Sequence, residues 1–160
     1  MKMKVTHHFD ADVETVYALM SDPDFCMRKY ADAGATDIQI DSDHRDDGPK
    51  LVSRRKVTVD LPGFAKRVMQ PANTVVQTDE WSAATRSCRY SVEVQGVPSR
   101  IDGTVTLTEE GGGTRQEVQA EVKVSIPLLG GKLEKFAVDN GVKALDHEAE
   151  FTAKELAARG

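Results

Sequence analysis

The sequence predicts an α+β fold in which a curved, seven-stranded antiparallel sheet wraps around a long C-terminal helix, with two short helices after the first strand. Period-two alternation in the second half of the chain is the main observation. In residues 116–126 the even positions from Val118 to Ile126 are apolar and their neighbours are polar. Such a strand is buried on one face only. A helical pattern then runs through residues 128–159, so we expect a helix laid across a concave sheet, with a pocket between them.

Composition bounds the class of protein. The 160 residues are enough for one domain, residues 1–160, and a domain of this size buries about 68–70% of its unfolded surface. The net charge of -5 argues against a nucleic-acid surface, which needs a dense basic patch. We therefore expect no nucleic-acid partner.

Cysteine usage and hydropathy indicate the compartment. Cys26 and Cys88 are the two cysteines, and their spacing suits neither a disulfide framework nor a metal site. The N-terminal residues lack the apolar core of a signal peptide, and no apolar run approaches about 18 residues. We expect a cytoplasmic protein without integral membrane segments.

The first elements follow from parity and capping. Met3, Val5, His7 and Phe9 share one face of an opening strand, residues 3–9. Asp10 or Asp12 then caps a short helix that ends at Met20. A second short helix begins at Asp22 and Pro23, where the missing amide hydrogen of proline costs nothing, and should end near Gly34.

Six further strands are separated by turn residues. The short connections predict an antiparallel meander. The segment between the third and fourth strands, residues 62–70, is predicted to form about two helical turns. The predicted strands are residues 36–42, 50–60, 74–83, 87–97, 100–109 and 114–126.

Residues 128–159 have one polar and one apolar side when successive residues are placed 100° apart around a helix axis. The apolar side is wide, which is typical of a helix that packs on a sheet. Glycines at 130, 131 and 141 weaken the helical pattern without ending it. The apolar side comprises Leu133, Ala137, Ala144, Leu145, Ala149 and Phe151.

The order of these elements resembles the START-like, or helix-grip, superfamily, which includes the birch-pollen allergen, lipid-transfer START domains and polyketide cyclases. The resemblance covers nearly the whole chain. Its residue-level parts are Asp-Ala-Asp-Val-Glu-Thr-Val-Tyr-Ala-Leu-Met-Ser-Asp-Pro-Asp-Phe at 10–25 and Pro-Leu-Leu-Gly-Gly-Lys-Leu-Glu-Lys-Phe-Ala-Val at 127–138. An uncharacterised bacterial branch of the superfamily is the nearest match. The resemblance implies a hydrophobic pocket between sheet and helix, and it brings no universal catalytic motif.

Three polar residues fall on inward faces. Arg55 shares its face with Leu51, Ser53, Val57 and Val59, while His7 lies between Val5 and Phe9, and Glu148 falls on the apolar arc of the last helix. An inward charge must be paired, since desolvating a lone ion costs several kcal/mol. We predict that Arg55 and Glu148, with His7, orient the head group of a ligand. Two alternatives remain: a purely structural pairing, or a β-bulge that turns Arg55 to solvent.

Apolar candidates for the pocket wall come from several elements. Tyr90 and Val92 lie on one inward row with Cys88, and the Tyr90 hydroxyl can serve a ligand oxygen or simply belong to the core. Gly141 leaves room beside the helix. Residues 61–69, with Phe64, form either a lid or a short helix packed on the sheet. The remaining candidates for wall or mouth are Val57, Trp81 and Phe136.

Two stretches resemble metal-binding motifs, but each lacks required ligands. His147-Glu-Ala-Glu-Phe151 has phenylalanine where a zinc-binding H-E-x-x-H motif needs its second histidine. Residues 41–48 lack the oxygen ligands of an EF-hand in the right order. We therefore assign no catalytic residue, no metal and no cofactor from the sequence.

The favoured function is binding, as a carrier or sensor, of an apolar or amphipathic small molecule such as a lipid, polyketide or isoprenoid. Transient contact with a membrane is compatible with that function. One alternative is a cyclase or hydratase in which His7 or Glu148 moves a proton. Another is an interaction module whose cavity is filled by side chains. The sequence does not indicate an oligomeric state.

Overall fold

The predicted architecture is confirmed by the computed structural model, which describes residues 1–159. The first part of the chain forms strand β1 (Lys2–Phe9) and helices α1 (Val13–Met20) and α2 (Pro23–Asp32). Six strands follow before the last helix, α3 (Gly130–Arg159). They are β2 (Thr36–Arg45), β3 (Gly48–Thr58), β4 (Ala72–Ser82), β5 (Ser87–Val94), β6 (Ser99–Glu110) and β7 (Gly113–Val124).

One antiparallel sheet holds all seven strands in the order β1-β7-β6-β5-β4-β3-β2. Strands β2 to β7 form the predicted meander. The first strand pairs with the last, with Val5 opposite Val118. This pairing places β1 at one edge of the sheet and β2 at the other.

Aspartate caps fix the starts of the two short helices. Asp12, rather than Asp10, caps α1, because its carboxylate accepts a hydrogen bond from the Thr15 amide at 2.7 Å. Asp22 accepts one from the Asp24 amide at 3.0 Å, and Pro23 is the first residue of α2. Both caps satisfy amides that have no partner within the helix.

Two predicted boundaries are wrong. Leu128 is fully exposed with a φ of 67°, so α3 begins two residues later than predicted, and its glycines do not interrupt it. Residues 62–70 contain a single 3-10 turn, Ala65–Arg67, instead of two helical turns. Pro71 disfavours helical backbone at Gln70, but the turn already ends at Arg67, for which the structure gives no further reason.

The core lies mainly at the end of the sheet that α1 and α2 cover. Val16, Leu19 and Phe25 of these helices pack with Leu51 and Trp81 of the sheet. By contrast, α3 contacts the sheet mainly at β1 and β7. Its fully buried residues are only Leu133, Thr152 and Leu156. The middle of α3 therefore stands away from the central strands and leaves space above them.

Among the described residues, no helix combines the length and apolar character that a membrane crossing requires.

Candidate functional site

A cavity of about 180 Å³ lies between the concave face of the sheet and α3. Its walls are mostly apolar. Ala144 lines the cavity and is also exposed, so the cavity opens to solvent beside this part of α3. The sheet contributes Trp81, Cys88, Tyr90, Val92, Ile101, Val105 and Val118, and α3 contributes Gly141, Ala144, Leu145, Glu148, Ala149 and Thr152.

Three charged side chains meet at the cavity wall. Lys29 comes from α2, Asp79 from β4 and Glu148 from α3. The Lys29 ammonium nitrogen lies 3.5 Å from Glu148 Oε1, and the two side chains are 12% and 22% exposed. We call these three residues the inner polar cluster. It joins three elements at one point of a mostly apolar surface.

Burial and neighbouring charges act in opposite directions on this cluster. Desolvation raises the pKa of the buried Asp79 carboxyl, although a hydrogen bond from Gln77 Nε2 at 2.9 Å and the charges of Lys29 and Arg55 oppose that rise. For Lys29, burial is the largest single influence and favours the neutral amine, but Glu148 and the other acidic groups around it, Asp79 among them, together outweigh burial, and the pKa is raised. Lys29 is therefore an ammonium ion at neutral pH.

Arg55 lies outside the cavity lining and contacts the inner polar cluster through neighbouring residues. Its guanidinium stacks over the Tyr30 ring, 3.9 Å from the centroid, and donates hydrogen bonds to Ser53 Oγ at 3.1 Å and Gln77 Oε1 at 3.0 Å. Strand β3 pairs with β4 without a bulge, so Arg55 stays on the half-buried side. It does not line the cavity, and it reaches Asp79 through Gln77.

The predicted grouping of Arg55, Glu148 and His7 is not formed by direct contacts. Glu148 pairs with Lys29 instead, because α2 brings that lysine to α3. His7 contacts Asp146 Oδ1 through Nε2 at 2.8 Å and the Gln116 amide through Nδ1 at 3.4 Å. Both contacts are satisfied when Nε2 carries the proton. His7 lies outside the cavity lining, which it contacts through Gln116.

Tyr90 lies flat against β6 at Gly103. A Cβ atom at Gly103 would be 2.6 Å from Tyr90 Cζ and 2.5 Å from the Gln119 carbonyl oxygen, so only glycine fits there. Burial raises the pKa of the Tyr90 phenol, which keeps the hydroxyl protonated at neutral pH. Tyr90 therefore presents a ring and a neutral hydroxyl to the cavity.

The other predicted wall residues divide into two groups. Trp81, Val92 and Gly141 line the cavity, and a Cβ atom at Gly141 would lie 3.2 Å from Met3 Sδ.

Three predicted wall residues, Val57, Phe64 and Phe136, do not line the cavity. Val57 lies beyond Arg55 on β3, outside the part of the sheet that the cavity covers. Phe64 lines a separate surface depression with Arg67 and Leu129. Phe136 lies more than a helical turn before Gly141, where α3 first meets the cavity.

Four polar lining residues escaped the sequence analysis: Lys29, Gln77, Asp79 and Gln116. A signal existed for Gln77 and Asp79, which share the parity of Trp81 on β4. Gln116 shares the parity of Val118 on β7. Nothing in the sequence around Lys29 shows which way it points, because α2 has apolar and charged residues on adjacent positions.

The raised pKa of Asp79 predicts that Asp79→Asn stabilises the protein at neutral pH. Ionised Asp79 costs free energy in the folded state, whereas asparagine keeps the acceptor for Gln77 without the charge. The cost is full above the raised folded pKa and disappears as the pH falls below the unfolded value of about 3.9. Urea unfolding at pH 7 and pH 4 measures it. A variant less stable than the wild type at pH 7 would contradict the prediction.

Solved structures share this fold. The Zhui aromatase/cyclase from Streptomyces sp. R1128 superposes with a TM-score of 0.73 at 15% identity, covering 100% of this chain and 98% of that one. A START superfamily protein from Mycobacterium smegmatis gives 0.68 at 16% identity, covering 97% and 98%. Ara h 8.0201 gives 0.66 at 10% identity, covering 96% and 98%. The fold is that of the START-like, helix-grip proteins.

Sequence comparison identifies the particular family. The family model described as "Protein of unknown function (DUF2505)" matches residues 4–156, so the chain belongs to that family. The uncharacterized protein Rv0481c of Mycobacterium tuberculosis is 27% identical over 158 residues, which is 90% of each chain. The uncharacterized protein Mb0491c of Mycobacterium bovis matches to the same extent.

Proposed function

We propose that this protein binds an apolar or amphipathic small molecule in the cavity between the sheet and α3. The observation that carries the proposal is the cavity itself, which is mostly apolar and has charged groups at only one cluster. Small-molecule sites are commonly of this kind, with an apolar wall for affinity and a few polar groups for orientation. A lipid, a polyketide or an isoprenoid-like compound would supply the apolar part.

The size of the cavity supports a ligand of modest bulk. An engineered apolar cavity of about 150 Å³ admits benzene. The present cavity of about 180 Å³ is open on the side of Ala144, so a longer ligand can extend towards solvent. Burial of apolar ligand surface at about 25 cal/mol per Å² would drive binding.

A second candidate function is a cyclase- or hydratase-type reaction on the same kind of ligand. The observation that favours it is Asp79, a buried carboxyl of raised pKa beside an apolar cavity, which is a common setting for a general base. The similar fold of the Zhui aromatase/cyclase is compatible with this candidate. Turnover that falls in Asp79→Asn while ligand binding persists would support the enzyme over the carrier.

Titration with the uncharged dye N-phenyl-1-naphthylamine tests the binding proposal. Trp81 is the single tryptophan and lines the cavity, so dye in the cavity should quench its emission while the dye fluorescence rises. We expect saturable binding with one dye per chain. Dye fluorescence that rises without saturation, with Trp81 emission unchanged, would overturn the proposal.

A further inference from the structure

The charges around the cavity balance. Lys29 and Arg55 are cations, and Asp79 and Glu148 are the carboxylates that face them. The other titratable lining groups are the tyrosines and cysteines, and burial raises the pKa values of Tyr30, Tyr90, Cys26 and Cys88, which keeps them neutral at pH 7. An additional charge inside the cavity would therefore have no free counter-charge.

The inner polar cluster also has unused hydrogen-bonding capacity. Asp79 is 92% buried, yet among residues 1–159 its carboxylate accepts a single hydrogen bond, from Gln77 Nε2 to Oδ1, so Oδ2 remains open. Glu148 accepts no side-chain hydrogen bond from the described chain and meets only Lys29, at 3.5 Å. The Lys29 ammonium has three donors, and among the described residues its nearest carboxylate oxygen is Glu148 Oε1 at 3.5 Å. These groups line the cavity and are not sealed from it, so a polar group of a ligand can use this capacity.

We propose that the ligand is an uncharged, largely apolar molecule whose hydroxyl group lies in the inner polar cluster. The hydroxyl donates to Asp79 Oδ2 or to Glu148 and accepts from the Lys29 ammonium, and it adds no charge. This inference rests on the proposed binding function and specifies the chemistry of its ligand. A carboxylate or phosphate in the same place would face two carboxylates, and an amine would face Lys29. Both would carry an uncompensated desolvation cost.

Three naphthalenes of similar size test the proposal by isothermal titration calorimetry at pH 7: 2-naphthol, 2-methoxynaphthalene, which cannot donate, and the anion 2-naphthoate. A hydrogen bond to a charged group predicts that 2-naphthol binds at least about tenfold more tightly than either of the others. In Asp79→Asn the preference for 2-naphthol over 2-naphthoate should shrink by about tenfold, because one negative charge is removed.

Asp102→Asn is the matched control. It removes the same charge from an exposed position on β6, where Asp102 pairs with Arg100, and the order of affinities should not change. Glu148→Gln makes the same charge change from α3 and provides an independent second variant.

The outcomes separate the two proposals. If 2-naphthol binds no more tightly than 2-methoxynaphthalene or 2-naphthoate, the hydroxyl proposal is overturned while the binding function stands. If Asp79→Asn and Glu148→Gln both leave the preference unchanged, the assignment to the inner polar cluster is likewise overturned. If none of the three binds and N-phenyl-1-naphthylamine does not bind either, both proposals fail.

Discussion

Replacement of Lys29 by methionine should lower the free energy of unfolding by about 3–5 kcal/mol, since it removes the cation that pairs with Glu148 and also faces the buried Asp79. Glu148 loses its partner at 3.5 Å, and Asp79 loses one of the positive charges that oppose the rise of its pKa. Methionine keeps most of the packing volume, so the loss reports on charge. Urea unfolding at pH 7 is the measurement.

A surface lysine provides the control for this prediction. Lys135 forms an i,i+4 pair with Asp139 on α3 and is 69% exposed, so Lys135→Met should cost less than about 0.5 kcal/mol. Adding Glu148→Gln to Lys29→Met should restore part of the lost stability, because it removes one unpaired charge. A Lys29→Met variant that loses no more stability than Lys135→Met would show that the inner polar cluster is not electrostatically coupled.

Replacement of Ala144 by phenylalanine should strongly weaken binding in the cavity. Ala144 lines the cavity at its open side, so the larger ring can enter the space that a ligand would occupy. Loss of about 110 Å² of apolar contact, at about 25 cal/mol per Å², weakens binding about a hundredfold. Titration with N-phenyl-1-naphthylamine, read from dye fluorescence and Trp81 emission, measures the loss.

Ala153→Phe separates a blocked cavity from a perturbed helix. Ala153 is exposed on the same helix and does not line the cavity. This variant should bind the dye as the wild type does, and both variants should retain wild-type helical content by circular dichroism. Equal dye affinity in Ala144→Phe and the wild type would place the binding site elsewhere on the molecule.

Local patterns were sufficient to predict the architecture. The alternation in β7 is unbroken, and Val118, Ala120 and Val122 are all buried. One pattern therefore predicts both the strand and the face of it that is buried. Turn residues between strands left an antiparallel meander as the simplest arrangement. In residues 62–70 the apolar spacing predicts more helix than the single turn Ala65–Arg67 that forms, because spacing alone does not distinguish one turn from two.

Side-chain partners in the site could not be predicted in the same way. Parity placed Glu148 on the inner side of α3 but not its partner, because Lys29 reaches it through the packing of α2 against α3. Asp79 shares the parity of Trp81 on β4, but the valines at both 75 and 76 leave the inward parity of that strand open in the sequence. The inward direction of Lys29 depends on tertiary packing, which has no signal in a ten-residue helix of mixed polarity.

The most direct test of the central claim, that the cavity holds a small apolar molecule, is native purification followed by solvent extraction and mass spectrometry. The protein should be expressed in a Mycobacterium host, where similar proteins occur. We predict one apolar or amphipathic compound per chain in the wild type and in Ala153→Phe, and none in Ala144→Phe. An empty wild-type extract, together with no uptake of N-phenyl-1-naphthylamine by the purified protein, would contradict the claim.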